Sequence, residues 1–113
     1  MDAAAEGKLL RLLGLGVRGR GALVGVERVR EAAQKGTLVL AVVAPDASRH
    51  SLEKVRPLLA AKRIRVIEGP GATTLGHAVG REATAVVGIT DRNLATGIQQ
   101  VLDAASGGSG GAA

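Results

Sequence analysis

Two clusters of cationic side chains have the types and spacing to do chemistry, and that chemistry is anion binding. Arg18, Arg20, Arg28 and Arg30 bracket Gly25, while Lys62, Arg63 and Arg65 form a second group. An arginine fork makes bidentate contacts with phosphate or with the Hoogsteen edge of guanine. Gly25 stands at the expected start of a helix. Without a side chain there, a phosphate or base can approach the helix's first amides. Lys35 adds a further cation at the expected end of that helix. The second cluster reads as a solvated face.

Other chemistries find little support. His50 and His77 are the only histidines, too few for a converging metal site, and there is no cysteine. That excludes disulfides, thiol catalysis and thiolate-bound zinc, and fits a cytoplasmic protein. Ser48, Ser51, Thr73 and Thr74 lie in no nucleophile motif and suit helix capping instead. Gly14 to Gly19 spells G-x-G-x-x-G. It follows a leucine-rich helical stretch, however, where a dinucleotide site needs a strand before the motif and a helix after it. The sequence therefore implies no cofactor, no metal and no enzymatic activity.

The 113 residues carry 15 Lys+Arg against 10 Asp+Glu, a net charge of +5 that favours a polyanionic partner. Hydrophobic residues make up 46% and none is aromatic. An RNA partner would then be held by backbone amides, cations and shape, because bases have no aromatic ring to stack on. No run approaches the roughly 18–20 apolar residues of a membrane span, and the N-terminus is not expected to be a secretory signal.

The elements that must position these residues follow from hydrophobic spacing. A first helix from Ala5 is expected to stop at Gly14 or Gly16, with residues 1–4 loose. A basic glycine-rich loop, Val17 to Gly21, leads to a short strand, Ala22 to Val24. Gly25 opens a second helix ending at Gly36, and Leu38 to Ala44 is a central strand. A third helix opens at Asp46 or Ser48 and is expected to kink or restart at Pro57. A strand from Arg65 to Glu68, a turn at Gly69 to Gly71, and a short helix capped by Thr73 or Thr74 come next. The final pair is a strand from Thr84 to Ile89 and a helix opened by Thr90 or Asp91. The expectation is one domain over residues 5–105, a three-layer α/β/α sandwich around a mixed four-stranded sheet. A flexible Gly/Ser/Ala tail follows over 106–113.

The segment Leu75-Gly76-His77-Ala78-Val79-Gly80 carries a further signal, with Ala32 to Gly36 and the strand after it, Asp46-Ala47-Ser48, Pro57-Leu58-Leu59 and Thr90-Asp91. In this order they resemble the kink-turn-binding ribosomal-protein superfamily of large-subunit seven-Ae and thirty-e type, and most of all its bacterial YlxQ-type members. The resemblance implies a small, non-enzymatic, cytoplasmic protein that binds structured RNA, bent or kinked, in a ribosomal or transcriptional setting. It also implies two contact segments. One is the second-helix start, where the family carries Gly-x-Asn-Glu-x-x-Lys and this chain has Gly25, Glu27, Arg28 and Glu31. The other is the loop Arg81-Glu82-Ala83. Only the glycine of the first motif is kept, so the sheared G·A pairs of a kink-turn would meet different groups. A protein-interaction module of the same fold, without specific RNA binding, is the alternative.

Overall fold

The computed structural model describes the backbone of residues 1–111 and the side chains through Ala105; the expected flexible tail over 106–113 lies outside the residues whose side chains are described. Nine elements follow one another: α1 (Ala3–Arg18), β1 (Ala22–Val24), α2 (Val26–Lys35), β2 (Leu40–Val43), α3 (Arg49–Ala61), β3 (Arg65–Glu68), α4 (Ala72–Ala78), β4 (Val86–Ile89) and α5 (Arg92–Gly111). The sheet order is β1-β4-β2-β3. β4 runs antiparallel to both β1 and β2, and β2 runs parallel to β3.

Three layers result from alternation along the central strands. Leu40 and Val42 of β2, with Val87 and Ile89 of β4, pack beneath α1, α4 and α5. Ala41, Val43 and Val86 point the other way, onto Val29 and Ala33 of α2 and Val55 and Leu59 of α3. Both central strands are buried at every position, which is why they read as unbroken aliphatic runs.

The helix ends are chemically explicit. Asp2, Ser48 and Asp91 cap α1, α3 and α5 through their side-chain oxygens. Four helices close with the paired backbone bonds of a Schellman motif. In α2 the Thr37 amide donates to the Ala32 carbonyl (3.0 Å), and in α4 the Arg81 amide donates to that of Gly76 (2.8 Å). Both use a left-handed glycine, Gly36 (φ 78°) and Gly80 (φ 79°). In α1 and α3 the same position is occupied by Arg20 (φ 64°) and Arg63 (φ 57°). An L-residue held there costs about 1–2 kcal/mol that glycine avoids. Arg63→Gly is therefore expected to raise stability by about 0.5–1 kcal/mol in a denaturant titration; an unchanged or lower midpoint would show that the arginine side chain offsets its backbone.

Several expectations are corrected. α1 does not stop at Gly14 or Gly16. Both are buried inside it. A Cβ on Gly14 would stand 2.8 Å from the Ala78 carbonyl oxygen, and one on Gly16 would stand 2.3 Å from the Leu94 side chain and 3.2 Å from Ala22 Cβ. These glycines permit close crossing rather than termination. α1 already begins at Ala3, and Asp2 Oδ1 accepts from the Ala5 amide at 2.8 Å. α3 passes through Pro57 without restarting. Neither Thr73 nor Thr74 caps α4, which begins after Gly71 with no side-chain cap of its own. Asp46, from the loop after β2, accepts from the Ala72 amide at 2.8 Å instead.

Candidate nucleic-acid interface

The sheet brings Gly25 and the loop 80–85 to one end. Val24 pairs with Val87, and the Gly25 amide then donates to the Val86 carbonyl at 3.1 Å. The loop carrying Arg81, Glu82 and Ala83 feeds directly into that strand, so the α2 start and the loop lie side by side. Both segments expose their side chains to solvent: Glu27, Arg28, Arg81, Glu82 and Ala83 are all exposed.

Gly25 adopts φ 102° and ψ 157°, a region open to glycine almost alone. Nothing lies within 4 Å of where its Cβ would be, and no side chain caps the helix it opens. The amides of the first turn are thus without a side-chain acceptor at the positive end of the α2 dipole.

The loop on the other side is tied down at its two ends. Gly76 and Ala83 are in backbone contact, since a Cβ on Gly76 would stand 2.5 Å from Ala83 Cα. The Thr84 amide donates to the Ala72 carbonyl at 3.0 Å, and the buried Thr84 hydroxyl donates to the Val86 carbonyl at 3.1 Å. Asp46 fixes the start of α4 and Gly76 its end, and together they aim the Arg81 turn. The exposed Arg56 and Glu68 side chains make two hydrogen bonds of 2.7 and 2.8 Å, tying α3 to β3. The Arg56 guanidinium holds the Glu68 carboxyl below its usual value, and Glu68 raises Arg56 in return. Among the described residues no His, Cys, Asp and Glu group is arranged to hold a metal, and no helix is long and apolar enough to cross a membrane.

A family model for ribosomal protein L7Ae/L30e/S12e/Gadd45 matches residues 8–99. The chain belongs to this family. A solved protein of unknown function from Bacillus halodurans C shares the fold with a TM-score of 0.77 and 32% identity, over 87% of this chain and 99% of that one. The Giardia lamblia 15.5kD RNA binding protein superposes with a TM-score of 0.73 at 18% identity, over 89% of this chain and 87% of that one. No curated protein matches in sequence.

Within this L7Ae-type fold the expected site residues separate. Gly25, Glu27, Arg28, Arg81, Glu82 and Ala83 come together. Arg18 and Arg20 do not. They precede β1 and Gly25 follows it: the Gly21 carbonyl accepts from the Thr90 amide past one end of β4, while the Gly25 amide donates to the Val86 carbonyl at the other, so the length of the strand lies between them. Lys35 ends the 10-residue α2, roughly 14 Å from its start at 1.5 Å per residue, and pairs with Glu31 at 3.9 Å. Arg30 turns onto α3, its Nη1 donating to the Lys54 carbonyl. Lys54, which sequence spacing did not single out, also meets Glu27 at 3.4 Å. Arg28 makes no ion pair or side-chain hydrogen bond among the described residues, which leaves it the free cation at the helix start.

Proposed function

We propose that this chain is a non-enzymatic RNA-binding protein that receives a bent or kinked RNA helix between the start of α2 and the Arg81-Glu82-Ala83 loop. The observation that carries the reading is the uncapped, sterically open Gly25 terminus facing that loop across the β1–β4 end of the sheet. Membership of the L7Ae/L30e/S12e/Gadd45 family supports it, as does likeness in fold to a protein described as RNA-binding.

In this proposal the first-turn amides of α2 take a phosphate or base oxygen. Arg28 supplies the charge-assisted contact, and Glu27 accepts from a guanine edge once released from Lys54. Glu27, Arg28 and Glu31 replace the Asn, Glu and Lys that kink-turn binders carry, so discrimination rests on the shape of the RNA as well as on base edges. A cytoplasmic setting on the ribosome or a transcription complex belongs to the same proposal.

The test is a titration against a kink-turn RNA and the same RNA with its G·A pairs replaced, at two salt concentrations. Arg28→Ala is expected to weaken binding about tenfold or more, from about 1–3 kcal/mol for one well-formed contact, and wild-type affinity should fall steeply with salt. Unchanged affinity in Arg28→Ala would remove the α2 start from the site. Absence of binding to either RNA would favour a protein-interaction module instead. With no Trp, Tyr or Phe the protein absorbs little near 280 nm, so co-purified RNA is conspicuous.

A further inference from the structure

Arg18 drops out of the Gly25 site, and its actual neighbours suggest another use. It lines an open groove of about 510 Å³ between α1 and α4, together with Arg11, Thr74, His77 and the close-packed pair Gly14 and Ala78. The groove is shallow because the helices cross tightly, backbone on backbone, at Gly14. Its volume exceeds by more than tenfold the roughly 30 Å³ a water occupies in the liquid. There is room for a phosphodiester with its sugar, not just a small ion.

Charge on the two walls is one-sided. Residues 7–26, which include most of α1, contain Lys8, Arg11, Arg18 and Arg20 and no carboxylate. Residues 69–81, which include α4, contain His77 and Arg81 and no carboxylate. Ion pairs among the described residues involve Lys35, Arg49, Lys54 and Arg56, so Arg11 and Arg18 carry no internal counter-charge. Seven residues apart, these two arginines share a helix face and stand about 10 Å apart along the axis. That spacing suits an extended polyanion. His77 is followed four residues later by Arg81, so α4 links the groove to the loop facing Gly25.

We propose that the α1–α4 groove is a second RNA contact, which takes the sugar-phosphate backbone of one arm of the RNA held at Gly25. It rests on the reading of the partner as RNA. Arg11 and Arg18 provide phosphate contacts, with Thr74 and His77 beside them as further hydrogen-bonding groups. Contacts of this kind position an RNA without reading its sequence.

The test compares Arg11→Glu/Arg18→Glu with Lys62→Glu/Arg65→Glu, a pair of equal charge change at the end of α3 and the start of β3. Two kink-turn RNAs are titrated over a range of salt, one with short stems and one with an extended stem. The groove variant is expected to bind the long-stemmed RNA at least tenfold more weakly, and its log-log salt slope should fall by about two, one per lost phosphate contact. The control pair should lose much less. Circular dichroism checks folding, and Arg11→Gln/Arg18→Gln replaces the groove variant if charge reversal unfolds it. Equal losses in both pairs would reduce the effect to net charge and overturn the proposal; so would an undiminished affinity. Loss of poly-glutamate binding with RNA binding intact would identify an acidic protein as the occupant, and also overturn it. If Arg28→Ala binds normally while the groove variant does not, the Gly25 reading fails and the groove stands; the converse leaves only the Gly25 site.

Discussion

Gly88→Val is expected to destabilise the protein by about 2–3 kcal/mol, the upper part of the range for overpacking a well-filled core. For a domain of this size that lowers the melting temperature by roughly 10 °C or more. Gly88 sits in the middle of β4, opposite Leu23 of β1 and Ala41 of β2. A Cβ there would stand 2.6 Å from Leu38 Cδ1, 3.0 Å from Val29 Cγ2 and 3.1 Å from Leu23 Cδ1. Val29 is fully buried and comes from the first turn of α2, so the glycine is the slot into which the start of that helix settles. Valine has the better strand propensity, but that advantage is worth at most about 1 kcal/mol and acts against one contact far too short, at 2.6 Å, and two tight ones at 3.0 and 3.1 Å. Thermal and denaturant unfolding by circular dichroism measure the outcome. A neutral or stabilising result would mean that α2 can ride outward freely, and then the position of Gly25 and Arg28 would not be determined by the sheet.

Glycine is also where sequence legibility breaks down. The aliphatic runs of β2 and β4 announce buried strands because both faces are covered, and α2 and α5 announce themselves through spacing and caps. Gly14, Gly16 and Gly88 carry no such announcement. A glycine suits a helix end, a turn or a tight contact equally well, and what decides is a partner distant in the chain: Ala78, Leu94 or Val29. Helix ends mislead in the opposite direction at Arg20 and Arg63, where a non-glycine residue occupies the left-handed position.

For the site, the Gly25 helix start was marked by its glycine and the cations around it as well as by family resemblance, whereas the Arg81-Glu82-Ala83 loop came from the resemblance alone. Charge proximity in sequence overstated the rest: only four residues separate Arg20 from Gly25, and a strand laid between them turns that short separation into distance. Nor could spacing foresee Lys54 beneath Glu27 and Arg30, or Asp46 capping α4, since both partnerships cross between elements. Among the described residues, Arg28 is the arginine of the first cluster that stays near Gly25 without an ion pair or side-chain hydrogen bond.

Gly76→Ala should affect recognition more than its chemistry suggests. The added methyl would lie 2.5 Å from Ala83 Cα and 2.7 Å from both its nitrogen and its carbonyl carbon. These are backbone atoms, so no side-chain rotation relieves the contact. The exposed loop has to lift, or α4 has to withdraw from the core where Leu75 is fully buried. Lifting the loop is the cheaper response, because Gly80 to Ala83 are exposed and surface segments open at low free energy. The expected stability loss is about 1–3 kcal/mol, small enough for the variant to remain folded at low temperature. Affinity for a kink-turn RNA, measured where circular dichroism shows a native spectrum, should nevertheless fall about tenfold or more, since a displaced clamp forfeits on the order of one well-formed contact. The pairing of the two readouts is what discriminates. A variant that loses stability but binds RNA normally would show that the 81–83 loop is structural trim and that Gly25 acts without it. A variant that keeps its stability but loses binding would place the whole effect in the geometry between loop and helix start, where the proposed RNA sits.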